Sequence, residues 1–298
     1  MELDEYQQRA VDTTHFKLKE DNGKFITLMG LAGEVGELAT EYKKQLRDGE
    51  GYTVFKDKLT EELGDILWYL SAIAEHEDLK LNDIAESNLH KTEDRWKDNA
   101  ILSSSDLLDK DYPLNEQIPR TFSVTFEEVI HEDQQKYISV TWDEGAFGDH
   151  LRDNSYDTDF YRFHDVFHLS YAVILGWSPV VRGLMKKKRK SISKIDEVED
   201  GGRAVVIDEA ISSLVFENAK KHSYFINQQV VDYSLLRTIK ELTKHLEVSI
   251  KTGKDWEMAI LLGFSLWNKL KVHNGGVMHC DLINRTMTFE EKIGTTYE

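Results

Sequence analysis

Cysteine is almost missing from these 298 residues. Cys280 stands alone, which excludes an intrachain disulfide framework and any cysteine-based zinc site, and leads us to expect a reducing, cytoplasmic setting. No apolar run approaches the ~18 residues of a membrane span, and the opening MELDEYQQRAVDTTHF is acidic and amphipathic, so neither export nor anchoring is expected. Positive charge is also short: 37 Lys and Arg stand against 54 Asp and Glu, a net charge of −17. That balance argues against a broad grip on a nucleic-acid backbone and leaves small anions to be held by a local device such as a metal ion. No GxxxxGK[ST] or GxGxxG loop and no nucleophilic-serine elbow occurs.

What remains is a soluble globular composition, 40% hydrophobic and 31% charged, long enough for two domains. Two of the three prolines, Pro113 and Pro119, fall in a polar stretch with the run Ser103-Ser104-Ser105, which reads as a linker over 98–119 between domains at 1–97 and 120–298. In the first domain apolar residues recur at helical spacing: Leu28, Leu31, Val35, Leu38 and Tyr42, then Leu59, Leu63, Ile66, Leu70 and Ile73. Two further helices are expected over Asp4 to about Glu20 and Leu81 to Lys97, the latter with Asn82 as its N-cap. Four helices in under 100 residues make an all-α bundle. In the second domain alternation over Thr121–Phe126 and Tyr137–Trp142 predicts strands, and Val277–Phe289 predicts a hairpin. Helices are expected over 157–177, 202–222, 233–251 and 256–271. The fold class is therefore mostly α, with a larger, mainly helical second domain carrying minor β structure.

Four carboxylates carry the chemistry of the first domain. Glu34 and Glu37 are three apart on one predicted helix, and Glu62 and Asp65 three apart on the next, so each pair shares a face. Two readings fit: solvated faces opposite apolar stripes, or two acidic faces lining a pocket, which the small residues Gly30 and Gly33 and the neighbours Trp68 and Tyr69 would suit. In the pocket reading the four charges repel unless cations lie between them, and an all-oxygen donor set of that charge selects Mg²⁺ or Mn²⁺.

The segments GLAGEVGELATEYKK (30–44), TEELGDILWYLSAIAE (60–75) and NLHKTEDRW (88–96), with LDEYQQRAV near the start, closely resemble the MazG-like nucleoside triphosphate pyrophosphohydrolases. The resemblance covers about residues 1–97. It implies an all-α fold assembling into dimers or tetramers, and hydrolysis of a nucleoside or deoxynucleoside triphosphate to the monophosphate and pyrophosphate. Glu34, Glu37, Glu62 and Asp65 would be the catalytic Mg²⁺ ligands, and Asn88, Lys91 and Arg95 would contact the nucleotide substrate. One departure is visible: many relatives carry a further glutamate where this chain has Gly33, although shorter relatives of the dCTP pyrophosphatase type also have only the four acids.

The second domain offers other candidates. FYRFHDVFHLSYAVILGW puts His164 and His168 at i, i+4 on a helix that is apolar almost all round, with Asp165 beside His164. Glu209, among Val205, Ser212, Ser213 and Phe216, is the expected partner carboxylate. These are either hydrogen-bonded core residues or a His/His/Glu site for a transition metal. The sole basic stretch, Lys186 to Lys190 with Arg182 and Lys194, reads as a solvated surface or as a holder of phosphates. The segment is similar to the C-terminal domain attached to some MazG-like proteins. Three functions therefore stand: pyrophosphohydrolase with an accessory domain, a bifunctional nucleotide hydrolase with a second metal site, or a pyrophosphohydrolase fused to a nucleic-acid or protein interaction module.

Overall fold

The computed structural model describes residues 1–15, 18, 21–96, 107–130, 135–143 and 145–292; for residues 21, 90, 91 and 94–96 it describes the backbone alone. The chain divides into two compact units, 1–93 and 94–298. Among the described residues no helix is long and apolar enough to cross a membrane. The fold is mostly α with one small sheet.

The first unit is built from α1 (Leu3–Asp12), α2 (Asp21–Asp48), α3 (Phe55–His76) and α4 (Leu81–Trp96). Helices α2 and α3 run along each other and α1 packs on α3. Small residues make these approaches close: Ser71, Ala72 and Ala74 are buried on α3, and Gly30 on α2 faces the ring of Tyr69, where a Cβ would overlap it. The buried Gln7 of α1 ties the helices together. Its Nε2 donates to the Leu79 carbonyl at 2.9 Å, and its Oε1 accepts from the Leu81 amide at 2.8 Å. The amide of Asn82 donates to Asp4 Oδ1 at 3.1 Å. The start of α4 is thus capped from α1, and Asn82 lies inside the helix rather than capping it: two distant side chains satisfy the orphan amides first.

Several apolar positions that define the stripes of α2 and α3 remain open to solvent in the single chain, including Leu28, Val35, Leu63 and Leu70. Val35 is 50% and Leu63 49% exposed.

The second unit contains β1 (Thr121–Ile130), β2 (Lys136–Trp142), β3 (Gly145–Ala146), α5 (Asp165–Leu175), α6 (Pro179–Leu184), α7 (Ser193–Val198), α8 (Gly202–Lys220), α9 (Tyr233–Thr243), α10 (Gly253–His273), β4 (Gly275–Asp281) and β5 (Thr286–Glu290). The strands form one antiparallel sheet of order β3-β2-β1-β4-β5, with Val124 of β1 opposite Trp142 on one side and Met278 on the other. Alternation places Phe122, Val124 and Phe126 inward. All eleven residues of α5 are buried, and α5 packs along α10. The buried helix expected over 157–177 is shorter than its apolar pattern. Phe160 adopts a left-handed φ of 64°, which stops the helix from extending back, and Gly176 at φ 70° ends it.

The described part of the stretch read as a linker, 107–119, is bound into the second unit. Asp109 is buried, accepting from the Ile118 amide at 2.8 Å and pairing with Arg120 at 2.7 Å and Arg182 at 2.9 Å. The carboxylate of the buried Glu116 accepts from the Ser191 amide and hydroxyl at 2.8 and 2.5 Å.

Candidate functional site

In the first unit the second acid pair meets the first because α2 and α3 lie side by side and each ExxE or ExxD spacing puts both carboxylates on one helix face. Glu34, Glu62 and Asp65 each offer an oxygen, and these oxygens all lie within 4.8 Å of one another. Glu37 stands outside this closest group, yet its charge is felt in it: the carboxyl of Glu62 is pushed above the usual carboxylate range by burial first, then by Glu34, Glu37, Glu61 and Asp65. Three of the four acids named from the sequence thus come together, and Glu37 reaches them only through its charge. Glu34 and Glu62 are half-buried, whereas Glu37 and Asp65 are exposed.

The groups around the cluster are already employed. Glu41, buried one turn beyond Glu37, accepts from Lys44 Nζ at 2.5 Å and from the Tyr52 hydroxyl. Lys44, drawn above its ordinary pKa by Glu41, also feels Glu37. Trp68 Nε1 donates to Thr13 Oγ1 at 2.8 Å and the Ala10 carbonyl at 3.1 Å, so the indole serves the α1–α3 contact. Gly33, where relatives carry a further acid, faces open space. On α4, Asn88 is exposed; the side chains of Lys91 and Arg95 lie outside the described residues.

In the second unit His164, His168 and Glu209 come together, with one donor atom of each within 4.8 Å of the others. His164 lies just before α5 but keeps helical φ/ψ of −61° and −24°, so the i, i+4 relation to His168 survives the shortened helix. Glu209, the expected partner carboxylate, is in the cluster, and the buried carboxylate behind His168 is its neighbour Asp208. Asp208 is wholly buried and accepts from Ser178 Oγ at 2.6 Å, from the Val180 amide at 3.2 Å and from His168 Nδ1 at 2.7 Å. Glu209 is 48% exposed, its Oε2 3.4 Å from His168 Nε2. Burial works against charge on His168, but Asp208 and Glu209 outweigh it and raise the imidazole well above its ordinary pKa. Asp208 lies on the buried face of α8 with Ala204, Ile211, Ser212 and Val215, and Glu209 lies at the edge of that face.

The basic stretch is not a free phosphate holder over its whole length. Arg189 is fully buried and bidentate to Asp200, with Nη2 2.7 Å from Oδ1, and it also pairs with Glu247 at 2.6 Å. Arg182 is buried against Asp109. Both arginines are structural cations.

The model of the MazG C-terminal domain matches residues 103–293, well over half of the chain. The chain belongs to the MazG family. The model of the MazG nucleotide pyrophosphohydrolase domain matches residues 25–99, the span that carries Glu34, Glu37, Glu62 and Asp65. Nucleotide pyrophosphohydrolase activity is the activity of that MazG domain. Gene 37 protein of Mycobacterium phage L5 is 37% identical over 111 residues, which is 35% of this chain and 96% of the phage protein. No solved structure matches the chain.

Proposed function

We propose that this MazG protein hydrolyses nucleoside or deoxynucleoside triphosphates to the monophosphate and pyrophosphate, with Mg²⁺ or Mn²⁺ held by Glu34, Glu37, Glu62 and Asp65. The observation that carries the reading is the convergence of Glu34, Glu62 and Asp65 within 4.8 Å, inside the span matched by the pyrophosphohydrolase domain. The donor set suits the ion: every ligand is a carboxylate oxygen, and the Glu62 carboxyl is raised by burial first and then by its acidic neighbours, both of which a hard dication offsets. When bound, the metal neutralises the triphosphate, activates a water and stabilises charge on the leaving pyrophosphate.

The protein's own residues do the positioning. Four carboxylates on two packed helices fix the site on rigid elements, so the α-phosphorus is held at one distance from them. Glu41 holds Lys44 in an ion pair near Glu37, keeping a cation at the rim of the acidic cluster. Asn88, Lys91 and Arg95 of α4 are assigned to phosphate or sugar oxygens, with Arg95 suited to bidentate contact. Control of nucleotide pools and residence in the cytoplasm belong to the same proposal, the latter supported by the single, buried and unpaired Cys280.

A homo-oligomer completes the reading. The half-exposed Leu28, Val35, Leu63 and Leu70 form apolar stripes at helical spacing, and such surface gains about 25 cal/mol per Å² when a second copy covers it. Light scattering on the full chain is expected to give a dimer or tetramer, shifted toward monomer by Val35→Glu; a monomeric wild type contradicts this. The catalytic reading is tested by separating the products from a panel of triphosphates with Mg²⁺ and with chelator. Monophosphate and pyrophosphate should appear only with the metal. A nucleoside diphosphate with orthophosphate, or free nucleoside with tripolyphosphate, would overturn it.

A further inference from the structure

The histidine cluster of the second unit is built in the manner of a ligand set. His164 Nδ1 lies 2.9 Å from the Tyr161 carbonyl, and His168 Nδ1 lies 2.7 Å from Asp208 Oδ1. Both partners are acceptors, so each Nδ1 carries a hydrogen and Nε2 is the atom left for a ligand; on His168 a bound dication takes the place of the Nε2 proton that Asp208 and Glu209 otherwise favour. The two rings meet edge to face at 5.8 Å, and one ring nitrogen of each lies within 4.8 Å of the other and of a Glu209 oxygen. His168 Nε2 is a buried nitrogen without a hydrogen bond among the described residues, on a side chain that is not exposed at all. A buried polar atom left so is costly unless something occupies the space it faces. Asp208 is held in turn by Ser178 and the Val180 amide, which extends the support one layer further. A carboxylate behind one histidine and a carbonyl behind the other is the outer-shell arrangement that fixes ring orientation at metal centres.

We propose that His164 Nε2, His168 Nε2 and a Glu209 carboxylate oxygen bind one divalent transition-metal ion, with Asp208 as the positioning residue for His168. Two ligands of a tetrahedral zinc ion stand about 3.3–3.4 Å apart, given bonds of about 2.0–2.1 Å. The His168 Nε2 to Glu209 Oε2 separation is 3.4 Å. Glu209, half-exposed, is free to close the remaining distance by rotating its side chain. Two nitrogens and one oxygen favour zinc-like ions over Mg²⁺, which prefers oxygen alone. Three protein ligands would leave one position open on such an ion. Asp165 Oδ1 lies 3.5 Å from His164 Nε2, its carboxyl raised by burial. The site draws on residues of the second unit alone, and its occupancy does not depend on whether the pyrophosphohydrolase reading holds.

The test uses the full chain carrying Glu62→Gln, so that ions bound through the first unit's cluster do not enter the count. After dialysis against chelator, Zn²⁺ alone is titrated calorimetrically and Co²⁺ alone by its visible absorption. One zinc per chain and a cobalt spectrum of low coordination number are expected. Glu209→Gln and His164→Asn, both on the accessible side of the cluster, should each weaken binding by more than the 10- to 100-fold typical of outer-shell loss. Asp208→Asn should fall within that range while His164 and Glu209 are intact. Circular dichroism of each variant separates lost binding from lost folding, and Glu209→Gln is the variant that decides if a buried change unfolds the unit. Zinc stoichiometry and affinity unchanged in folded Glu209→Gln and His164→Asn, or no zinc bound by the parent, would overturn the site and leave His168 as an ion-paired core residue.

Discussion

Tyr69 of α3 puts the hydroxyl end of its ring into the gap left by Gly30 of α2, in a space that a methyl group at position 30 would fill. This contact sets the approach of the two helices that carry the acid pairs, and it explains why a residue with poor helix propensity sits mid-helix at that point. Gly33, three residues on, faces open space and has no such reason.

Gly30→Ala is therefore expected to lower the stability of the first unit by about 1–3 kcal/mol through overpacking, and to lower turnover with it. Gly33→Ala should be neutral or stabilise by up to about 1 kcal/mol. Thermal melts of the two variants side by side check this; equal effects would mean that the ring contact does not set the helix spacing.

The raised carboxyl of Glu62 has a consequence for the metal-free protein. Because its folded pKa lies above the unfolded value, the ionised form is disfavoured in the fold; stability is highest below the unfolded value and declines as pH rises through the folded one. In chelator, Glu62→Gln should melt higher than wild type at neutral pH and lose that part of the pH dependence. With Mg²⁺ the order should reverse, because the variant loses a ligand, and hydrolysis should fall at least 10-fold. Melting curves with and without metal, read with turnover, give the answer.

Asp109 behaves in the opposite sense. Burial raises its carboxyl, but Arg182, the Ile118 amide and Arg120 together hold it below the ordinary value of 3.8. A lowered folded pKa contributes stability that is fully present above the unfolded value and is lost as pH falls through it toward the depressed one. The second unit, followed by the fluorescence of Trp142, Trp177, Trp256 and Trp267, should hold its stability down to about pH 4–5 and weaken below. Asp109→Asn should reduce stability at neutral pH and flatten the acid limb. An unchanged acid limb would show that Asp109 is not a principal acid-sensitive group.

How much of this was legible in the sequence depended on whether the deciding partner was local. The four acids were readable because i, i+3 spacing is a property of one helix, and the helices α2 and α3 were readable from period 3.6. The stripe at Val35 and Leu63 read equally well as core, yet it is half-exposed in the single chain, since periodicity reports an apolar face and not what covers it. The cap of α4 came from Gln7 and Asp4, more than seventy residues away in sequence, beyond any local signal. Arg182 and Arg189 sat in a basic run that looked solvated, but their partners Asp109, Asp200 and Glu247 are brought in by the fold. Asp208 was missed for the same reason: Ser178 and Val180, which make its burial affordable, lie on another helix.

The central claim concerns the bond that breaks. If Glu34, Glu37, Glu62 and Asp65 hold metal around a triphosphate, water attacks the α-phosphorus and pyrophosphate leaves. Hydrolysis by the full chain in ¹⁸O-labelled water with Mg²⁺, followed by mass spectrometry of both products, reads this directly. The account predicts label in the nucleoside monophosphate and none in the pyrophosphate. Label in the pyrophosphate, or orthophosphate as the main product, would contradict it.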